Sequence, residues 1–307
     1  MFKPKDYSIS IISYHYVRYV KRSKYPNLKA LEFDKFKNQI QYLRTRFNIL
    51  RCDDFHEILL TKKIPRKPSI LLTFDDGYND HFEYVYPYLK KYKLNGFFYL
   101  VLDTLTNNKV LNVNKIQFIL EGESDKDFIL RYIFSKTKHL NIDIDEIHID
   151  TRFDDFKTVL IKQLLQYYLP KKIRNKIINN LFNKIIDVDE KEFSKNLYLN
   201  ISTVKEMMND SMVFGIHGSS HTHLGKLPNS IQKQEIDKSI NFFNQNNLWN
   251  KTKTICYPNG SYNKFTLYYI NQKKLDFGLI TNPPGNISKK NIGKKYILPR
   301  LDTKEFL

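Results

Sequence analysis

Two groups of residues in this chain have the types and spacing to do chemistry. The first is Asp75-Asp76-Gly77, which follows directly on the apolar run Ser69-Ile-Leu-Leu-Thr-Phe74. Adjacent carboxylates at the mouth of a buried strand repel each other, so either a cation neutralises them or one takes up a proton. Neighbouring side chains on extended backbone point different ways. The pair can therefore divide the labour, one residue on a metal and the other facing a substrate as a base. The same tripeptide also suits an ordinary turn or a helix N-cap. The second group is His217-Gly-Ser-Ser-His221-Thr-His223, again just after a strand-like run, Met212–Ile216. Imidazoles at that spacing converge on one ion when the segment curls into a helical turn. Joined by a carboxylate, they make a site that leaves positions open for water and substrate. A histidine cluster alone also fits a surface loop; its recurrence with the acidic pair, at the ends of two strands, favours a metal site.

The elements that must position these groups alternate in type. Residues 8–14 read as a buried strand that delivers His15 at its end, and a loop follows. Phe33, Phe36, Ile40 and Leu43 recur at helical spacing within Glu32–Arg46. Phe47–Leu50 reads as a strand, Cys52–Leu60 as a short helix, Ser69–Phe74 as a strand, the stretch with Phe82, Val85, Tyr86 and Leu89 as a helix, and Gly96–Val101 as a strand. Such alternation marks an α/β sheet or barrel. Residues 106–200 change character to helical patterns (Asn112–Leu120, Phe128–Lys136, Phe153–Tyr168, Lys171–Ile186) and read as a helical insertion. Alternation then resumes with helices at Ser202–Met208 and Gln232–Asn246 and strands at Met212–Ile216, Thr252–Tyr257, Phe277–Thr281 and Tyr296–Leu301. There is no internal repeat and no low-complexity linker.

Three ordered motifs resemble a known family. Thr73-Phe-Asp-Asp-Gly-Tyr78 is similar to the first motif of the polysaccharide deacetylases with a NodB-type homology domain (carbohydrate esterase family 4). Gly215-Ile-His-Gly-Ser-Ser-His-Thr-His-Leu224 resembles their His-x-x-x-His motif, and Cys256-Tyr-Pro-Asn-Gly-Ser-Tyr-Asn263 their third. The opening Tyr14-His15-Tyr16-Val17 and the closing Leu298-Pro299-Arg300 also recur in members acting on extracellular or envelope glycans. The resemblance implies an irregular (β/α) barrel, often seven-stranded, as one catalytic domain over 1–307 carrying the insertion. It implies Asp76, His217 and His221 as ligands of a divalent metal, usually zinc, and Asp75 as general base.

By the same resemblance an oxyanion-binding N–H belongs to Asn259, in a substrate-contacting turn with Tyr257, Pro258 and Gly260, while Thr73 and Tyr78 are walls of the site. His223 is expected in a supporting or surface position. Two departures stand out. The arginine that orients the base in many members is replaced by Cys256, and Arg300 is the expected substitute. No histidine follows His223 to supply the usual acid, and His15 is the candidate to protonate the leaving amine. The implied activity is a hydrolase acting on amide C–N bonds other than peptide bonds. It removes N-acetyl, in preference to O-acetyl, groups from an acetylated amino-sugar glycan or its lipid-linked or nucleotide-linked precursor. The alternative is a glycan-binding pseudoenzyme of the same fold.

Composition narrows the partners. The chain has 307 residues, 41% hydrophobic and 14% aromatic, which supports a sizeable core and excludes disordered, collagen-like and mucin-like classes. Lys plus Arg number 50 against 32 Asp plus Glu, a net charge of +18 that permits nucleic-acid or anionic-membrane binding. The lysine pairs are scattered, however (62–63, 90–91, 171–172, 289–290, 294–295), and the abundance of Asn, Ile, Lys, Phe and Tyr is that of an AT-rich coding sequence. A solvated surface without a specific nucleic-acid partner is expected; charge gathered at the mouth of the site would favour an anionic substrate. Cys52 and Cys256 are too few for a disulfide framework and read as small core residues. Met1–Ser13, with Lys3 and Lys5, lacks the pattern of a signal peptide, and no stretch is long and apolar enough to span a bilayer. A cytoplasmic location is expected, with peripheral membrane association as the way to reach a lipid-linked precursor. The oligomeric state is not legible.

Overall fold

Strands appear in the order β1 (Ile9–Tyr14), β2 (Val17–Arg18), β3 (Leu31–Glu32), β4 (Asn48–Ile49), β5 (Ser69–Phe74), β6 (Phe97–Leu100), β7 (Val213–Ile216), β8 (Thr254–Cys256), β9 (Phe277–Ile280), β10 (Leu298–Pro299) and β11 (Leu301–Asp302). They come from a computed structural model that describes residues 7–152 and 154–303; Lys3, Lys5 and Phe153, named above, lie outside those residues. Nine strands form one sheet in the order β10-β9-β8-β7-β6-β5-β1-β11, with β4 also beside β5. All its strand pairs are parallel. It is a nearly closed barrel with helices around it.

The single strand expected over Tyr296–Leu301 is two short ones. Leu298 and Pro299 pair with Leu279 and Ile280 on β9, whereas Leu301 and Asp302 pair with Ile12 and Ser13 on β1. The chain thus steps from one edge of the sheet to the other at Arg300, and this step makes the closure. Parallel strands covered on both sides are near-continuous apolar runs, and every residue of β1, β5, β6, β7 and β9 is buried. Alternate residues feed two cores. Ile12, Ile70, Leu72, Phe98, Phe214 and Ile216 pack outward on helix residues such as Phe36, Ile40, Leu43 and Leu89. Ile9, Ile11, Leu71, Tyr99, Val213 and Leu279 fill the inner face, with Phe55 and Ile58 of helix Cys52–Thr61.

The chain divides into two compact units. One contains residues up to Tyr19, Ala30–Asn107 and Lys195 onward, including the sheet; the other contains Val20–Lys29 and Asn108–Ser194. Among the described residues, the second unit has no strand. Its helices include Asn112–Gly122, Lys126–Lys136, Phe156–Gln163 and Lys171–Ile186. The segment after the first strand, expected to be a loop, carries the paired strands β2 and β3 in the first unit, and between them Val20–Lys29 belongs to the second unit for a physical reason: Tyr25 packs edge-on against Phe118 at 4.9 Å. In addition, Asn27 N–H donates to Glu121 (2.9 Å), and Lys29 pairs with Asp154. Three α-helices were not expected, the five-residue Leu102–Thr106 and two longer ones. Glu190–Leu197 is short and mostly polar, and Lys264–Gln272 is announced by the capping box of Asn263 with Thr266. The five lysine pairs are exposed and occur in both units, as a solvated surface requires. No helix among the described residues is long and apolar enough to cross a membrane.

Candidate active site

Strand alternation brings the chemically active residues to one end of the barrel. Leu71, Thr73 and Asp75 share the inner lane of β5; Val213, Gly215 and His217 that of β7; Ile9, Ile11, Ser13 and His15 that of β1. Each lane is apolar or small along the strand and ends in a polar group. Gly215 is required in its lane, because a Cβ there would lie 2.7 Å from both the Tyr99 ring and Thr254 Cγ2. Beyond β5 the backbone turns left-handed at Asp76 (φ 70°) and Gly77 (φ 66°), so both carboxylates stay at the same barrel end.

Asp76, His217 and His221 form one cluster, with a donor atom of each within 4.8 Å of the others. Asp76 Oδ1 is 3.5 Å from His217 Nε2 and 3.3 Å from His221 Nε2. It is buried and has no hydrogen-bond partner among the described residues. Asp76 Oδ2, by contrast, accepts from the Tyr78 hydroxyl at 2.7 Å. His217 Nδ1 lies 2.7 Å from the Cys256 carbonyl, which can only accept, so Nδ1 carries the proton and Nε2 turns a lone pair toward Asp76. Burial also pushes the His217 imidazole down to about 4, keeping it neutral at pH 7. A buried carboxylate oxygen facing an unprotonated imidazole nitrogen is unfavourable in isolation and is what a divalent cation corrects. The donor set, one carboxylate and two imidazoles, fits zinc and its neighbours. The expected helical turn is absent: His217–His221 is an irregular loop, left-handed at Gly218 (φ 75°) and His221 (φ 54°).

Asp75, His217 and Cys256 make a second close group. Its chemistry differs, because burial keeps the Cys256 thiol protonated and Asp75 is already engaged. Arg300 grips Asp75 through two parallel hydrogen bonds, Nη1 to Oδ1 at 2.8 Å and Nη2 to Oδ2 at 2.6 Å. Nη1 also donates to Thr73 Oγ1, 3.2 Å away. The two charged side chains are only 1% and 2% exposed. Burial alone raises the Asp75 carboxyl, but the guanidinium outweighs it and holds the group at about 2. Arg300 therefore stands where a base-orienting arginine is needed, beside Cys256, whose Sγ is 3.8 Å from Asp75 Oδ2. His15 Nε2 is 3.7 Å from that same oxygen, with 45% of the side chain open to solvent. A residue without a sequence signal supports it: buried His81 donates Nε2–H to the His15 carbonyl at 2.8 Å.

The third motif divides between surface and interior. Asn259 is exposed and left-handed (φ 54°, ψ 23°), and Gly260 reaches solvent beside it. Tyr257 and Tyr78, expected against substrate, are each 1% exposed, and Pro258 is also buried. Alternation explains Tyr257: with Cys256 on the inner lane, the next side chain enters the outer core, where its hydroxyl donates to the Tyr296 carbonyl. Tyr78 stacks on Tyr16 and Tyr198 and backs Asp76, a support for the site rather than a wall. His223 is half-buried and precedes the single turn Leu224–Lys226.

A family model described as polysaccharide deacetylase matches residues 62–117 and 176–278, just over half of the chain. The matched segments hold Asp75, Asp76, His217, His221 and Asn259, while His15 and Arg300 lie outside them. No curated protein matches the sequence. Among solved structures, the deacetylase PplD of Streptococcus pyogenes in complex with acetate is 19% identical with a TM-score of 0.57, over 98% of this chain and 93% of that one. IcaB from Ammonifex degensii is 13% identical with a TM-score of 0.59, over 97% and 93%. A de-N-acetylase from Aggregatibacter actinomycetemcomitans is 13% identical with a TM-score of 0.55, over 98% and 100%. At these identities the likeness is one of fold.

Proposed function

The chain belongs to the polysaccharide deacetylase family, hydrolases that remove acetyl groups from polysaccharide, and on that premise we propose that it hydrolyses N-acetyl groups of an amino-sugar glycan with the help of a divalent cation, zinc by its donor set. The observation that carries this reading is the partnerless Asp76 Oδ1 facing two imidazole nitrogens, beside the Arg300-clamped Asp75. Asp76, His217 and His221 would hold the cation, which would polarise the acetyl carbonyl and acidify water.

The remaining work falls to the chain. Asp75 stays ionised under the Arg300 clamp and accepts the proton of the attacking water. So low a pKa makes it a weak base, sufficient only at close range to a water that the cation would acidify. The water oxygen bonds to the acetyl carbon, and the backbone N–H of Asn259 is the donor assigned to the resulting oxyanion. An amide nitrogen departs only when protonated, and His15, beside the base and open to solvent, delivers that proton. The C–N bond then breaks to give acetate and a free amine. The need for such an acid favours N-acetyl over O-acetyl substrates.

Metal analysis joined to acetate release from an N-acetylglucosamine oligomer tests this. Purified protein should carry stoichiometric metal, and Asp75→Asn should retain it while kcat/KM falls by about 10²- to 10⁴-fold. Full activity in metal-free protein would overturn the reading. A chain that binds metal and glycan yet releases no acetate is the binding-only alternative.

A further inference from the structure

We infer that Glu235 is the positioning residue for the His217–His221 loop, setting the place of His221; this rests on the metal reading of that cluster. Glu235 lies on helix Asn229–Asn246, which Ile236 and Phe243 anchor in the outer core. Its carboxylate accepts three hydrogen bonds from consecutive loop residues. Oε2 takes the N–H groups of Ser219 (3.0 Å) and Ser220 (2.9 Å), and Oε1 takes the Ser220 hydroxyl (2.8 Å). From another side, the carbonyls of Gly218 and Ser219 accept from the N–H groups of Leu102 (3.2 Å) and Asp103 (2.9 Å).

The loop needs such support. His221 adopts a left-handed φ of 54°, which disfavours any residue with a Cβ. Among the described residues its ring also lacks a backbone-carbonyl tether of the kind that Cys256 gives His217; the polar groups beside it, Asp76 and His217, belong to the same cluster. Where His221 sits is thus decided by the backbone that Glu235 grips, one residue before it.

The proposal is tested by cobalt(II) binding to the full chain, read by chelator competition and by the visible spectrum. Glu235→Ala should weaken binding by about 10- to 100-fold and alter the spectrum, as removal of an outer support of a metal ligand does. Glu235→Gln should restore both, because its oxygen still serves the two amides while its NH₂ donates to Ser220 Oγ. Wild-type affinity and spectrum in Glu235→Ala would overturn it. Should that variant not fold, Glu235→Asp, which keeps the charge but shortens the reach, should show intermediate weakening; unchanged binding there overturns it equally. A wild-type chain that takes no cobalt sinks the metal reading instead. Hydrogen exchange then still decides for Glu235: the Ser219 and Ser220 amides must exchange faster in Glu235→Ala.

Discussion

Asp75 in the barrel unit and Asp150 in the helical unit both have carboxyls held at about 2, each beside an arginine. In Asp75 the figure is a small remainder of large opposing effects, burial against the Arg300 guanidinium, with neither partner open to water. In Asp150 it reflects hydrogen bonds to an Arg152 side chain that is 76% exposed, which water and salt readily replace. A second pair sharpens the contrast. Lys115, buried in the helical unit, has two acceptors, Asn179 Oδ1 at 2.7 Å and Glu190 Oε2 at 2.8 Å. Asp76 in the barrel unit has a buried oxygen with no hydrogen-bond partner among the described residues, facing only imidazole nitrogens at 3.3 and 3.5 Å. Buried polar groups are normally satisfied, and among the unmatched ones Asp76 Oδ1 is a carboxylate oxygen facing two imidazole nitrogens, which marks where chemistry is expected, while the equal pKa values do not.

This contrast can be broken by measurement. The largest effect should come from Arg300→Met, which strands the Asp75 charge in the interior and should lower unfolding free energy by about 3–5 kcal/mol in urea titration at pH 7. A loss near zero would mean that the pair is hydrated. Next is acid sensitivity. Burial pushes the His81 imidazole down to about 4, from an ordinary value of roughly 6.5. Between those values the folded chain binds fewer protons than the unfolded chain. Stability should therefore be whole above about pH 6.5 and decline as the pH falls to about 4, by roughly 3 kcal/mol from this group. His81→Gln should flatten that decline, and an unchanged slope would refute the assignment.

Zinc at about 100 times its Kd should stabilise the chain by ~2.7 kcal/mol. Exchange should slow at the amides of 75–78 and 217–221 while helix Asn112–Gly122 stays unaffected; equal protection in both units would erase the distinction. Smallest of all, Arg152→Met should leave the unfolding midpoint within error of wild type despite the shift it removes from Asp150.

Much of the arrangement was readable beforehand because it is local. The apolar run Ser69–Phe74 is a strand to the residue, and the Phe36, Ile40, Leu43 spacing does form a helix on the outer core. Asp76, His217 and His221 share strand ends, and a parallel sheet puts strand ends side by side. Legibility failed where a residue's role depends on distant chain. The stretch Tyr296–Leu301 has the composition of one strand, and nothing in it says that each half pairs with a different edge. Tyr78 and Tyr257 sit beside motif residues yet are buried, since alternation and ring size send them into the interior. Glu235 and His81 belong to helical patterns whose polar positions look like any other solvent-facing residue.

By itself, then, the sequence determined the longer strands, most of the helices, and which carboxylates and imidazoles follow strand termini. Those properties follow from hydrophobic periodicity and chain direction, and both are written within a few residues. Only the tertiary structure decided that Arg300 clamps a carboxylate 225 positions away, that His15 stands beside the same oxygen, and that Val20–Lys29 joins the helical unit. These depend on register and closure, which no local pattern encodes, because they are set by how the whole set of strands and helices buries its apolar faces at once.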